Sequence, residues 1–364
     1  MRVVVVGAGV MGLSTARVLA ERGHDVVALD RFAVANTSAS SSGPTRIWRL
    51  AHGERRMVRL ALRTTSAWHD LERRTGRTLL KQVGLLWRGD DAVDVHRACV
   101  AEGVVADLVD HDRQAQLFPE LRPDRARAAV WQPEAGVVLA ADALDAQVEL
   151  LARAGGALSV GERVLDVVPR STGGVTVTSE RATYEADVAV VTTGPWASEL
   201  LERLGVDLAL RPLLEQVSYV NGPPGWEERP CVIDDFTRHG GQAFYAMPTP
   251  GVGYKVGIDT PLRPWRSDDL DRSPSPERAV LTQSLVEHHL SGFGPSLLRS
   301  EVCSWTASPD ESFVLDRVGD VVIGCGDSGQ GFKFLPVLGE ILADLATDVS
   351  LDADSGSFSL ARFR

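Results

Sequence analysis

Almost all positive charge in this chain is carried by arginine, and the exceptions mark places where chemistry is expected. Of the 38 basic residues only three are lysines, Lys81, Lys255 and Lys333. Lys255 lies in the strand-like run 254–258, and Lys333 is flanked by phenylalanines. A compact ammonium with a shiftable pKa would explain lysine in such apolar surroundings. Near a reacting group this cation could stabilise developing negative charge. The alternative for Lys255 is a lysine at the rim of a strand.

Two arginines form a second candidate group. Arg46 and Arg49 are three residues apart, at the start of a segment (47–74) whose pattern predicts a helix, so both should face one side of a helical turn. Two cations on one face are unfavourable unless an anion or a flavin ring lies opposite them. A guanidinium fork suits bidentate binding of a carboxylate, which gives Arg49 an orienting role. The alternative is a solvated surface charge.

The glycine motif near the start of the chain predicts a dinucleotide site. Gly7, Gly9 and Gly12 lie between a β-branched run and a helical segment, and Asp30 follows a second predicted strand. In such a βαβ unit the glycines allow a tight turn, a close approach to a pyrophosphate and close helix packing, while the acid binds ribose hydroxyls. A lone glycine motif of this kind is weak, and an ordinary glycine-rich turn is the alternative.

A second glycine loop favours FAD over NAD. Residues 324–333 again lie between a predicted strand and a predicted helix, 335–346. A helix N-terminus from this distant part of the chain can direct its amides at the pyrimidine carbonyls of a flavin and stabilise the anionic reduced ring. The segment 190–196 would bring backbone against the same cofactor. An NAD enzyme has no obvious need for this second helix N-terminus.

The elements that must position these residues indicate an α/β fold with two domains. Signals of the dinucleotide domain occur at the start, in the middle and at the end of the chain, so this domain is predicted to be discontinuous. We assign residues 1–80, 136–210 and 308–364 to it. Residues 211–307 are rich in prolines and short strands, which suits a mixed-sheet substrate domain. We assign this segment to such a domain together with 81–135, where short apolar runs are broken by charged turns.

Composition excludes several classes of protein. The formal net charge of −11 and a pI near 5.3 argue against nucleic acid or an anionic membrane as the main partner. No apolar run is long enough to span a bilayer, and the apolar start does not resemble a targeting segment. We expect a cytoplasmic protein, as a monomer or weak homodimer.

The four cysteines, Cys99, Cys231, Cys303 and Cys325, have no paired metal-ligand spacing, so we expect neither a metal site nor a disulfide framework. Cys303 lies in an alternating strand pattern, where a structural thiol is the more common interpretation. Cys325 lies inside the second glycine loop.

Taken in order, these motifs resemble those of the monomeric sarcosine oxidase family, within the wider D-amino acid and glycine oxidase superfamily. The resemblance runs nearly end to end. It includes the segments 7–12, 45–49, 193–196, 255–257, 302–306 and 328–334, with Tyr245 and Pro248. The set in this order is specific, whereas any one piece is not.

The resemblance implies a glutathione-reductase-type, Rossmann-like FAD domain and an α+β substrate domain with a mixed sheet. It implies oxidation of a small amino acid to an imine, with dioxygen reduced to hydrogen peroxide. It also implies roles for single residues. Arg49 and Lys333 clamp the substrate carboxylate, Lys255 promotes oxygen reduction, and Cys303 bonds covalently to the 8α carbon of the flavin. Further implied site residues are Arg46 and Tyr245 in the active site, and Arg31, Val164, Gly194, Gly329, Gly331 and Lys333 at the cofactor.

One departure from the family pattern concerns the substrate. Asp259 stands four residues after Lys255, where sarcosine oxidases place a histidine, and Gln330 replaces a histidine in the second glycine loop. An aspartate could orient a substrate ammonium or accept a proton from a ring nitrogen. The alternative is a turn residue before Thr260 and Pro261. The departure favours a secondary or cyclic amino acid over sarcosine, as in a branch of the family that oxidises piperideine-2-carboxylate-type rings in antibiotic pathways.

Two other functions stay open at this stage. A flavin-dependent dehydrogenase would pass its electrons to a carrier, which the lysine at position 255 disfavours. A non-catalytic flavin-binding protein would require the carboxylate clamp to be accidental.

Overall fold

The structure is a computed structural model that describes residues 1–122, 128–235 and 242–364. Its strands, in chain order, are β1 Arg2–Val6, β2 Asp25–Asp30, β3 Thr45–Trp48, β4 Leu80–Gln82, β5 Leu85–Gly89, β6 Asp107–Val109, β7 Ala129–Gln132, β8 Gly136–Leu139, β9 Ala157–Val160, β10 Val164–Pro169, β11 Val175–Ser179, β12 Thr183–Ala186, β13 Val188–Val191, β14 Arg211–Val220, β15 Cys231–Asp235, β16 Phe244–Thr249, β17 Gly253–Ile258, β18 Arg263–Pro264, β19 Leu297–Ala307, β20 Val314–Val318 and β21 Val321–Cys325. Its α-helices are α1 Val10–Glu21, α2 Arg55–Thr75, α3 Ala92–Ala101, α4 His111–Leu117, α5 Ala140–Arg153, α6 Ala197–Arg203, α7 Pro276–His289, α8 Leu335–Ala346 and α9 Ala353–Gly356.

A six-stranded sheet carries the first glycine motif at one edge. Its strand order is β20-β21-β13-β1-β2-β9, parallel except for the antiparallel pair β20 and β21. Strand β1 is central, and its valines are buried because both faces of the sheet are covered. One face packs against α1, α5 and α8, and the other packs against the small antiparallel sheet β10-β11-β12 and α6. This is the predicted α/β architecture.

A nine-stranded mixed sheet forms the second large layer. Its order is β18-β14-β17-β16-β15-β5-β7-β6, with β19 paired to β14. All of its strands come from residues 85–132 and 211–307. The domain boundaries assigned above stay a prediction.

A three-stranded sheet, β3-β8-β4, lies beside the large sheet and makes contact with it. The Thr45 hydroxyl on β3 lies 2.7 Å from that of Thr249 on β16. This contact fixes the backbone that follows Thr45 against the large sheet.

The predicted helix over 47–74 is wrong in its first part. Residues 45–48 form β3, which pairs with β8, and the helix begins only at Arg55. Thr, Ile and Trp favour a pleated surface, and pairing with the buried strand at 136–139 outweighs the helical pattern. Residues three apart around a strand point to opposite faces, so Arg46 and Arg49 do not share one side as predicted. The predicted helices at 141–154 and 335–346 are confirmed within one residue.

Among the described residues, no helix is both long and apolar enough to cross a membrane.

Candidate active site

A cleft of about 1270 Å³, part of it open to solvent, lies at the carboxyl ends of β1, β2 and β13. Such an edge of a parallel sheet is where nucleotides bind in open α/β folds. Predicted residues that line the cleft are Gly7, Gly9, Asp30, Arg31, Val164 and Gly194. The cleft is therefore positioned for the dinucleotide part of a cofactor.

The glycines of the first motif are required by close backbone contacts. Gly7 has φ +96°, and a Cβ there would lie 2.5 Å from the Thr192 carbonyl oxygen. A Cβ on Gly12 would lie 1.8 Å from the Gly7 carbonyl oxygen, which no side chain could tolerate. Helix α1 therefore starts directly against the end of β1, with its N-terminus facing the cleft.

The N-terminus of α1 suits an anion. Its first turn contains no acidic residue, and its N-cap, Gly9, supplies no side chain. Asp30 stays outside the helix and accepts hydrogen bonds from the amides of Ala8 (2.7 Å) and Phe32 (2.8 Å). Burial raises the pKa of this carboxyl, while those two amides lower it. The unneutralised helix terminus fits a pyrophosphate, and Asp30 holds the turn in front of it.

Three polar side-chain atoms of the cleft lining support a bound polar ligand. Ser40 Oγ, Thr193 Oγ1 and Trp196 Nε1 are buried and have no hydrogen-bond partner within the described parts of the chain. Buried polar groups are normally paired. Partners supplied by a nucleotide would satisfy them, so this donor set fits the predicted dinucleotide.

The second glycine loop also leads into a helix, as predicted. After β21, Gly329 adopts φ +72°, a short 3₁₀ turn spans Gly331–Phe334, and α8 follows. Lys333 lies in the 3₁₀ turn, where its Nζ donates to the Gln330 carbonyl at 3.1 Å. Burial lowers the pKa of Lys333 well below its usual value, Arg49 lowers it further, and Asp327 opposes the shift.

One face of the large sheet brings the other predicted residues together. Cys303 on β19 lies opposite Glu215 on β14, and Tyr219 on the same face of β14 lies opposite Lys255 on β17. Farther across the sheet, Gly257 lies opposite Tyr245. Because side chains alternate along a strand, these residues share one face. The register alone therefore places Cys303, Lys255 and Tyr245 on a common surface.

Lys255 is a buried cation whose hydrogen-bond partner, among the described residues, is a backbone carbonyl. Its side chain is 3% exposed, and Nζ donates to the Thr45 carbonyl at 2.6 Å, with the Tyr219 ring 5.9 Å away. Burial lowers the pKa of Lys255 to about 7, and the charge on Arg46 contributes. A position at the rim of a strand, the alternative considered above, is inconsistent with this burial.

Arg46 lies near Lys255, on the same side of the site. Its guanidinium donates to the carbonyls of Thr45 (2.9 Å), Ser40 (2.9 Å) and Ser42, and lies 5.6 Å from the centre of the Phe332 ring. It ties the loop after β2 to β3, beside the dinucleotide cleft.

Arg49 belongs to the Lys333 side. Its guanidinium stacks on Trp87 at 4.5 Å, donates to the Ala51 carbonyl and lies 3.0 Å from His52 Nδ1. Burial lowers the pKa of Arg49 to about 10, although Asp91, Cys99 and Asp259 oppose the shift. A solvated surface charge is therefore the wrong interpretation of this residue.

His52 completes the Arg49 group and was not found from the sequence. It is 4% exposed, and burial together with Arg49 and Lys333 lowers its pKa well below the usual value. Because Nδ1 faces a guanidinium donor, the neutral ring carries its proton on Nε2. Among the described residues Nε2 has no partner. Two cations and one neutral donor therefore surround this part of the site, a set that suits a carboxylate.

Tyr245, Gly257 and Asp259 lie between these groups. An added Cβ on Gly257 would lie 2.2 Å from Cζ of Tyr245, so only glycine leaves room for this ring. Asp259 extends β17 through a hydrogen bond from its amide to the Ala243 carbonyl (2.9 Å). Its side chain is open to solvent, yet the surrounding protein and Asp235 raise the pKa of its carboxyl, while Arg49 lowers it.

Cys303 lies on the predicted strand and remains partly accessible. Burial raises the pKa of the Cys303 thiol, and the charges of Arg46 and Lys255 oppose this shift.

Glu215 lies opposite Cys303 on the neighbouring strand. It is 7% exposed, and burial raises the pKa of its carboxyl to about 9. Sequence reasoning missed Glu215, although a glutamate that alternates with Leu213 and Val217 on one face of a strand is a signal that could have found it.

Within the described residues no group of three or more His, Cys, Asp or Glu side chains could hold a metal ion.

Comparisons with known proteins agree with this geometry. The profile of the FAD dependent oxidoreductase family matches residues 2–345. The chain is 30% identical to a monomeric sarcosine oxidase of Bacillus sp. (strain B-0618), over 99% of this chain and 95% of that protein. It is 31% identical to the peroxisomal sarcosine oxidase of Homo sapiens, again over 99% and 95%. A similar solved structure is the open form of NikD, an unusual amino acid oxidase essential for nikkomycin biosynthesis, with TM-score 0.87, 28% identity and coverage of 98% and 96%.

The chain therefore belongs to the FAD-dependent oxidoreductase family, among the relatives of sarcosine oxidase. The predicted fold class and FAD as the cofactor are confirmed, and the chain is an FAD-dependent amine oxidoreductase.

Proposed function

We propose that the chain oxidises the C–N bond of a small secondary, N-methyl or cyclic amino acid to an imine and reduces dioxygen to hydrogen peroxide. The observation that carries this proposal is the presence of two pairs of cations near the dinucleotide cleft: Arg49 with the buried Lys333, and the buried Lys255 with the partly buried Arg46. The first pair suits a substrate carboxylate, and the second suits oxygen reduction.

Bound FAD would accept a hydride from the carbon next to the amine. Its pyrophosphate would be held by the N-terminus of α1 behind Gly7, Gly9 and Gly12, and Asp30 would face the adenosine ribose. Arg31, Val164 and Gly194 also line the nucleotide cleft. The Gly329 and Gly331 backbone, at the N-terminal side of α8, would face the flavin end.

Arg49 and Lys333 would bind and orient the substrate carboxylate. A guanidinium can bind it bidentately, while the Lys333 ammonium supplies a second point charge. Stacking on Trp87 and the contact with His52 fix the guanidinium in one orientation. Because both cations are desolvated, an anion between them relieves an existing electrostatic cost.

The amine end of the substrate would face Asp259 and Tyr245. Desolvation by the surrounding protein and the charge of Asp235 raise the pKa of Asp259 and favour its protonated form, while Arg49 favours its carboxylate. A carboxyl balanced in this way can hold a substrate ammonium or accept a proton from a ring nitrogen. This supports a secondary or cyclic amino acid as the substrate.

Lys255 would supply the positive charge for oxygen reduction. Its ammonium is fixed by a carbonyl and removed from water, where a charge stabilises a developing anion far more than it would in solvent. Arg46 would lie beside the flavin and add to the same field. This arrangement favours an oxidase over a dehydrogenase that passes electrons to a carrier.

An anaerobic screen tests the proposal. N-methyl and cyclic amino acids are mixed with the flavoprotein without oxygen, and bleaching of the flavin absorbance identifies those that reduce it. For a substrate so found, the corresponding amide should bleach the flavin far more slowly, because it lacks the carboxylate. Readmission of air should then return the colour and yield one hydrogen peroxide for each flavin.

Other outcomes separate the alternatives. Bleaching that air reverses only slowly, while an artificial electron carrier reverses it rapidly, would identify a dehydrogenase. A flavin that no amino acid bleaches would favour a non-catalytic flavin-binding protein. The cytoplasmic location and the monomeric or weakly dimeric state stay predictions.

A further inference from the structure

Glu215 has no role in the reaction proposed above, although it is the polar group placed directly opposite Cys303. The two residues form a register pair between antiparallel β14 and β19. Side chains paired in this way have Cβ atoms about 5 Å apart and point to the same face. The carboxyl is buried, and its Oε1 has no hydrogen-bond partner among the described residues.

Hydrogen bonds from the Gln216 amide and the Trp305 side chain lower the pKa of this carboxyl. A buried carboxyl with one oxygen unpaired still destabilises a fold, so its position requires an explanation. Its charged and titratable neighbours are Arg278 from α7, Asp259 after β17, Tyr245 on β16 and Cys303 itself. No salt bridge joins Glu215 to a cation within the described chain. Burial favours the protonated form of Glu215, so the carboxyl is able to act as a proton acceptor next to the cysteine once it has ionised.

We propose that Glu215 is the base that promotes covalent attachment of the flavin to Cys303. This inference rests on the proposed function and on the covalent bond between Cys303 and the 8α carbon of FAD that the family resemblance implies. A carbon within bonding reach of Cys303 Sγ lies on the same sheet face as the Glu215 carboxyl. This position gives the Glu215 carboxyl access to both reacting groups, the Cys303 thiol and the 8α carbon.

The step balances without any group beyond those already named. Glu215 and the Cys303 thiol would first each lose a proton to solvent. A C–H bond of the 8α methyl would then break, and its proton would pass to the Glu215 carboxylate. The Cys303 thiolate forms the C–S bond to the same carbon, and the electron pair that is released reduces the flavin ring. Dioxygen, the electron acceptor of the proposed reaction, then takes the pair with two protons and leaves as hydrogen peroxide. The carboxyl loses its proton to solvent and is regenerated.

Flavin-free protein reconstituted with FAD under air provides the test. Samples are denatured with acid at intervals, and intact mass reports the fraction that carries one FAD less two hydrogens. Glu215→Gln should bind FAD reversibly with wild-type affinity but attach it about 100-fold more slowly or worse, the usual contribution of a general base. Formate should partly restore attachment in Glu215→Ala, since a small carboxylate can occupy the space that is left.

Glu301→Gln is the matched control. Glu301 lies two residues from Cys303 on β19, and its charge also raises the pKa of the Cys303 thiol. Unlike Glu215, it is paired with the Tyr219 hydroxyl at 2.8 Å and with Arg299 at 2.7 Å. Its loss should leave the attachment rate within a few-fold of wild type. Equal slowing in both variants would indicate a general effect of charge and would overturn the assignment.

The remaining outcomes are distinct. Attachment at the wild-type rate in a folded, FAD-binding Glu215→Gln protein would overturn the role of Glu215. Wild-type protein that binds FAD and oxidises an amino acid but never gains mass would overturn both the linkage and the base, while the oxidase proposal would stand. Wild-type protein that attaches FAD but oxidises no amino acid would refute the proposed function and leave the inference about Glu215 intact.

Discussion

Replacing Lys255 with methionine should stabilise the flavin-free protein while impairing its proposed reaction with oxygen. The pKa of Lys255 is lowered from 10.5 to about 7 by burial and by Arg46, so the unfolded chain binds more protons than the folded chain between those pH values. At pH 7 this difference corresponds to roughly 4 kcal/mol of lost stability, and at pH 9 to roughly 2 kcal/mol, both as upper limits. Stability therefore rises with pH across this window in the wild type. The advantage of Lys255→Met should shrink accordingly.

The same substitution should slow reoxidation of the flavin. A fixed charge about 5 Å from a developing superoxide, at an effective dielectric constant of about 20, contributes about 3 kcal/mol. This corresponds to roughly 100- to 300-fold in the rate constant for oxygen. The lysine is charged below its pKa, so wild-type reoxidation should slow as pH rises through about 7, or somewhat higher because the reduced flavin anion stabilises the ammonium. The variant should lack this dependence.

Three measurements check these expectations on one pair of proteins. Denaturant unfolding of the flavin-free forms at pH 7 and pH 9 gives the stability difference. Stopped-flow mixing with substrate under nitrogen gives the rate of flavin reduction, and mixing of the reduced protein with oxygen gives the rate of reoxidation. Lys81→Met is the matched control, because Lys81 is only half-buried and pairs with Glu228 at 2.8 Å. It should change neither half-reaction.

Equal losses in both half-reactions of Lys255→Met would refute the oxygen role, since they would indicate a distorted site. A variant that is less stable than wild type at pH 7 would refute the claim that the buried ammonium is costly. The combination of a more stable protein, normal reduction and slow reoxidation is difficult to obtain by structural damage. That combination is the expected result.

Three further predictions concern single side chains. Cys303→Ser should release the flavin on acid precipitation, where wild-type protein should stay yellow; colour that remains on the variant would place the linkage elsewhere. His52→Phe should raise the KM for the amino acid at least several-fold with a smaller change in kcat, whereas unchanged kinetics would exclude contact with the carboxylate. Gly257→Ala should displace the Tyr245 ring and slow flavin reduction, because its Cβ overlaps that ring; reduction at the wild-type rate would contradict this.

The parts of the fold that local patterns determine were predictable. The run of valines in β1, the glycines that follow it and helix α8 depend on neighbours in the sequence. The start of α2 was not predictable in this way. The segment 45–48 is a strand because β8, some 90 residues later, supplies its hydrogen-bond partner. A local pattern contains no information about such a partner.

The site divides in a similar manner. Lysine in a chain rich in arginine pointed to positions 255 and 333, and both are buried. The division of the arginines could not be predicted, because Arg46 lies on β3 and Arg49 follows the end of that strand, where the two side chains meet different partners. His52 and Glu215 have no local signature of comparable strength. Their importance comes from an unpaired nitrogen and from a register pair, which only the folded chain defines.

The cations of this site are held by carbonyl groups instead of carboxylates. Within the described residues Arg46, Arg49, Lys255 and Lys333 form no salt bridge, although the chain contains 49 acidic residues and most of its other arginines are paired. Carbonyl dipoles fix a cation in position without neutralising it, so its field remains available to a ligand. The folded protein therefore retains an unfavourable electrostatic energy that anions can relieve. A substrate carboxylate, a reduced flavin and a superoxide are all anions, and one arrangement of uncompensated charge would serve each of them in turn.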